Sequence, residues 1–81
     1  MGTCARPRPQ RLGAKLLAIR VRLGLSQTQM VQALNFNIST ARICEYESNK
    51  REPSLLILLA YAHVAAIPLE QIVDDYVDLA F

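Results

Sequence analysis

Tryptophan is absent from the 81 residues, and three tyrosines and two phenylalanines are the only aromatics. Recognition of single-stranded RNA relies on aromatic stacking platforms, so so few rings, placed where they look buried, speak against it. One histidine, His63, stands among apolar neighbours. No nucleophile–base pair, metal cluster or glycine-rich phosphate loop accompanies it, so the expectation is a chain that is not an enzyme and takes no cofactor. The two cysteines, Cys4 and Cys44, are far apart, with no further Cys or His at ligand spacing. Zinc is therefore not expected, and both read as free thiols in a reducing cytoplasm. No apolar run approaches the ~20 residues that span a bilayer. The longest, Leu55 to Ala62, is broken by His63 and then Pro68. The basic N-terminus lacks the apolar run of a signal peptide, and Arg6 occupies the position where a myristoylation signal has Ser or Thr.

What is present is apolar content and segregated charge. Hydrophobic residues make up 52% of the chain. A domain this small buries only about 60% of its unfolded surface, so some of that content is expected to meet a partner. The net charge of +2 conceals an asymmetry, because all nine Lys and Arg lie between Arg6 and Arg51. Of the seven acids only Glu45 and Glu47 fall in that span; the rest follow it. A basic front and an acidic back suit a protein that sets one face on phosphates.

Residues 1–9, MGTCARPRP, read as a basic arm, since alternating Arg and Pro forbid a regular helix. One helical domain, residues 10–81, follows. Helix one is expected from about Gln10 to Leu23, with Leu12, Leu16, Ile19 and Leu23 as its apolar stripe. Arg11, Lys15 and Arg22 form a separate basic stripe, whereas Arg20 falls on the apolar edge. Gly24 supplies a left-handed cap. Helix two, Gln27 to Leu34, opens on a capping box of Ser26 and Gln29 and ends at Asn35. Helix three, about Ser39 to Ser48, turns Ile43 and Tyr46 inward and small or polar side chains outward. Helix four, about Ser54 to Ala66, is apolar all round: Leu55, Leu58, Leu59 and Ala62 are assigned inward, and Ile57, Ala60, Tyr61 and Val64 outward. Helix five begins near Pro68 and runs to about Asp75 or beyond.

Taken together, Leu12, Arg20, Gly24-Leu25-Ser26-Gln27, Leu34, Ile43, Tyr46-Glu47, Lys50 and Pro53-Ser54-Leu55 resemble the lambda-repressor-like, Cro-type helix-turn-helix family, also called the XRE family. The likeness spans about Leu12 to Asp75. It implies an all-α, five-helix DNA-binding domain in which helices two and three form the helix-turn-helix. Two departures stand out: Asn35 and Asn49 replace glycines usual in the family, and the turn from Leu34 to Thr40 is longer than in short phage repressors. The resemblance also implies a buried ion pair, Arg20 with Glu47. Base contacts carried over are Thr40, Ala41, Arg42 and Glu45; phosphate contacts are Gln27, Ser48, Lys50 and Arg51. The implied partner is double-stranded DNA, bound in a bacterial or phage-type cytoplasm by a homodimeric transcriptional regulator, with repression as the expected sign. Half-sites would lie about 10 bp apart on a near-palindrome. The dimer surface is assigned to the C-terminal half: Ile57, Ala60, Tyr61, Val64, Tyr76, Leu79 and Phe81. A second reading stays open, an antitoxin or other interaction module on the same fold that gives this surface to a partner protein.

Overall fold

The computed structural model describes residues 10–80; the basic arm and Phe81 lie outside the described residues. Five helices follow one another: α1 (Leu12–Leu23), α2 (Gln27–Leu34), α3 (Thr40–Glu47), α4 (Leu55–Ala65) and α5 (Glu70–Val73). No strand occurs among the described residues. The core takes Leu12, Leu16 and Ile19 from α1, Met30 and Leu34 from α2, and Ile43 and Tyr46 from α3. From the C-terminal half it takes Ile57, Leu58, Tyr61, Ala62 and Ile72. Helix α3 packs on α1 and α2, α4 packs on the same two helices, and α5 packs on α1.

Local chemistry sets most helix ends. Ser26 Oγ accepts from Gln29 N at 3.1 Å while Gln29 Oε1 accepts from Ser26 N at 2.8 Å, a complete capping box that starts α2. Ser39 and Ser54 cap α3 and α4 without the reciprocal bond, each side chain accepting from the backbone N–H three residues on. Gly24 at φ 72° and Asn35 at φ 58° end α1 and α2 in the left-handed region.

Helix α1 has no such cap of its own. It begins at Leu12 rather than near Gln10, after Arg11, whose side chain makes no capping bond. Its free N–H groups are met from the far side of the sequence. Asn49 Oδ1 accepts from Gly13 N at 3.0 Å. Asp75 accepts from Gln10 N at 2.7 Å and from Arg11 N at 2.9 Å. Asn49, at φ 62°, therefore tolerates the left-handed turn after α3 and also caps α1, which a glycine could not do. The chain is drawn so close at this point that a β-carbon on Gly13 would stand 2.7 Å from the Glu47 carbonyl oxygen. Alanine is the better helix former by about 0.5–1 kcal/mol, but that clash is with backbone, and overpacking of this kind costs about 1–3 kcal/mol. Gly13→Ala is therefore expected to lower stability in urea unfolding, by about 1–2 kcal/mol net; a rise would mean the two segments can part freely.

Three sequence expectations are corrected. Lys15 is not on a solvated basic stripe: it is 3% exposed, and its Nζ donates to the carbonyls of Gln71, Asp74 and Val77 at 2.8, 2.7 and 2.6 Å. Arg11 also faces the C-terminal segment, pairing with Asp78 and donating to the Asp75 carbonyl at 2.8 Å. The basic surface thus loses two of its expected members to the acidic back. Helix α4 is rotated from the expected setting. Ile57 and Tyr61, assigned to an outer dimer surface, are core residues, while Leu55 and Leu56 stand outward at 62% exposure each. A helix apolar on every side carries no periodicity to choose its buried face. Finally, α5 is a single turn that stops at Val73.

Candidate nucleic-acid interface

Helix α3 is fixed at both ends. At its C-terminal end Arg20 Nε donates to Glu47 Oε2 at 2.7 Å and Arg20 Nη2 to Glu47 Oε1 at 3.2 Å, the two-pronged geometry of a guanidinium on a carboxylate. Arg20 Nη1 donates in addition to the Leu25 carbonyl at 2.9 Å. Gln27 Nε2, from the first turn of α2, donates to Glu47 Oε1 at 3.2 Å. One carboxylate thus ties α1, α2 and α3 together. Its side chain is 7% exposed and that of Arg20 17%, so water screens the pair little. The bond to Glu47 raises the Arg20 guanidinium above its ordinary pKa, against burial acting the other way. At the N-terminal end, the Thr28 and Thr40 hydroxyls lie 3.3 Å apart and link α2 to the first residue of α3.

Tyr61 is buried in the same core as this junction, at 0% exposure. Its hydroxyl has no hydrogen-bond partner among the described residues. Burial pushes the phenol well above its usual pKa, with the charge of Glu47 adding to the effect. A buried hydroxyl without a partner costs about 1–3 kcal/mol. Tyr61→Phe is expected to raise stability by about 1 kcal/mol in chemical unfolding; a loss of similar size would mean the hydroxyl has a water partner.

The face of α3 turned away from the core presents Thr40, Ala41 and Cys44, all exposed, with Arg42 and Glu45 partly buried beside them. Cys44 is a free thiol. Glu45 Oε1 lies 3.2 Å from Arg51 Nε and 3.5 Å from Arg42 Nε. Of the residues assigned to phosphate, Lys50 and Arg51 are exposed on the turn that follows α3. The Ser48 hydroxyl donates back to the Cys44 carbonyl at 3.0 Å. Gln27 is half-buried and spends an amide N–H on Glu47. The four base-contact candidates therefore share one surface with Lys50 and Arg51 near its end, while Gln27 and Ser48 are engaged within the protein.

The C-terminal candidates separate. Ala60, Val64 and Leu79 pack partly against the core, Ile57 and Tyr61 lie within it, and Tyr76 is 98% exposed. Sequence reasoning overlooked Gln27 as a partner of Glu47 and Asn49 as a remote cap. The signal available for Asn49 was the lack of Ser, Thr, Asp or Asn at the start of helix one. No group of His, Cys, Asp and Glu able to hold a metal occurs among the described residues, and none of their helices is long and apolar enough to cross a membrane.

Comparison with curated proteins and with solved structures finds no significant match. A family model described as helix-turn-helix matches residues 16–72, from the middle of α1 through Ile72 of α5. That span takes in the ion-paired junction, both helices of the turn and every core residue but Leu12, and the all-helical order is the one this family has. The chain belongs to the lambda-repressor/Cro-type, or XRE, family of helix-turn-helix DNA-binding domains.

Proposed function

We propose that the chain is a sequence-specific regulator of transcription that binds double-stranded DNA as a homodimer, acting as a repressor by occupying a near-palindromic operator. The observation that carries this reading is the outward face of α3, which holds Thr40, Ala41, Arg42 and Glu45 on a helix fixed by the Arg20–Glu47–Gln27 junction. A helix held so firmly, with small residues beside polar ones, can enter the major groove without a bulky side chain in the way. Lys50 would meet phosphate alongside it. Binding selection on random duplex DNA is the test. A recovered site with two half-sites about 10 bp apart supports the reading, and recovery of unrelated sequences ends it.

The homodimer is proposed to form through the outer side of α4 and the segment after α5. Leu55 and Leu56 at 62% exposure and Tyr76 at 98% leave apolar surface there that the protomer does not cover. Light scattering after size exclusion is expected to give twice the chain mass at micromolar concentration. A monomer together with a co-purifying small protein would transfer this surface to the antitoxin reading.

A further inference from the structure

We propose that Arg51 is a positioning residue for base readout by Glu45, fixing its carboxylate so that one oxygen is presented to an amino-bearing base; this rests on the DNA-reading assignment above. The chain reverses at Asn49, φ 62°, and returns over the last turn of α3. Lys50 N and Arg51 N both donate to the Glu45 carbonyl, at 2.9 and 3.3 Å. Arg51 then returns its side chain to the same residue, Nε donating to Glu45 Oε1 at 3.2 Å. Backbone and side chain of Arg51 thus close on Glu45 together. Arg42 approaches from the preceding turn of the helix and addresses the same oxygen, at 3.5 Å.

Both guanidiniums reach Oε1, and among the described residues no hydrogen bond is made to Oε2, so that oxygen is open to accept a bond from outside. An ionised carboxylate can only accept, so it selects the bases that offer an amino group in the major groove, cytosine through N4 and adenine through N6. A bare carboxylate would also be repelled by the phosphates on either side of the groove, and the two flanking arginines offset that charge. Without Arg51 the side chain regains its rotamers and loses half of its charge compensation. The side chains concerned are 40–51% exposed, a setting in which an ion pair adds little to folding. Loss of Arg51 should therefore register in recognition and not in stability.

The experiment is binding selection on random duplex DNA with the full chain, comparing wild type, Arg51→Ala, Arg51→Lys, Glu45→Ala and the Arg51→Ala/Glu45→Ala double variant. Wild type is expected to prefer cytosine or adenine at one position in each half-site. Arg51→Ala should flatten that position by roughly tenfold and leave the others and the melting temperature unchanged. Arg51→Lys retains the positive charge but not the Nε geometry, so it should flatten that position as well. Glu45→Ala should flatten the same position, and the double variant should go no further. If Arg51→Ala instead weakens every sequence alike and lowers the salt slope by about one, Arg51 binds phosphate and the proposal is overturned. A preference left intact in Arg51→Ala also overturns it while leaving the regulator reading standing, whereas a wild type with no preference at all ends both.

Discussion

Glu47→Ala is expected to be the most damaging single substitution at the interface, lowering stability by about 3–5 kcal/mol. The figure follows from what is left behind. Arg20 is 17% exposed and would keep its charge with two of its hydrogen bonds gone, retaining only the bond to the Leu25 carbonyl. Gln27 would lose its acceptor in the same step. In a domain of this size each kcal/mol moves the melting temperature by about 4–8 °C, so a fall of at least ~12 °C should be seen by circular dichroism. The double variant Arg20→Leu/Glu47→Leu separates the worth of the pair from the penalty for stranding one partner. Replacing both ends of a buried pair by apolar groups is often close to neutral, so the double variant should recover much of the loss. Loss in the single variant without recovery in the double would assign the junction a packing role. An unchanged melting temperature in Glu47→Ala would sink the argument that this pair fixes α3.

How much of this could be read in advance depended on whether the signal was local. Ser26 and Gln29 are three residues apart and close their capping box without help from the rest of the fold, so the start of α2 was legible. Gly24 and Asn35 mark helix ends because few other residues adopt positive φ. Arg20 on an apolar edge raised the question of a partner, and the family pattern supplied Glu47. Lys15 posed no such question, because a lysine on a helix is ordinarily solvated; only the placement of three carbonyls from a segment more than 50 residues away explains its burial. Tyr61 and Ile57 failed for the reason given for α4, a face that periodicity cannot choose. The link between Arg51 and Glu45 was hidden because it needs the chain to fold back at Asn49, a reversal that spacing along one helix does not reveal.

Lys15→Met should release the C-terminal segment from α1 and lower stability by about 2–3 kcal/mol. Three bonds from an ammonium to carbonyls would each contribute about 1.5–3 kcal/mol if nothing opposed them, but the buried charge itself costs several kcal/mol to desolvate. The same opposition sets the direction of its pKa: burial, then the nearby Arg11 charge, lowers that of Lys15, and the carboxylates of Asp75, Asp74 and Asp78 act against the shift. Methionine fills the same volume and removes the desolvation cost, so what the variant reads is the loss of the clamp. Amide hydrogen exchange locates the effect. Asp74 N and Val77 N, bonded to the Glu70 and Asp74 carbonyls at 2.9 and 3.1 Å, should exchange faster, while the amides of α2 and α3 keep their protection. Uniform loss of protection would instead make Lys15 part of the global core. Acid tests the same clamp from its other side. The Asp75 carboxyl is held below its usual pKa by the Arg11 backbone N–H and then that of Gln10, and the Asp78 carboxyl by the Arg11 guanidinium. A depressed carboxyl pKa stabilises the fold fully above the unfolded value of about 3.9 and is lost as pH falls through the folded one. Protection of the C-terminal amides should therefore fall away below that pH. If the outer side of α4 and this segment together form the dimer surface, Lys15→Met should also weaken self-association, and with it binding to a two-half-site operator, while leaving the preference within each half-site as it was.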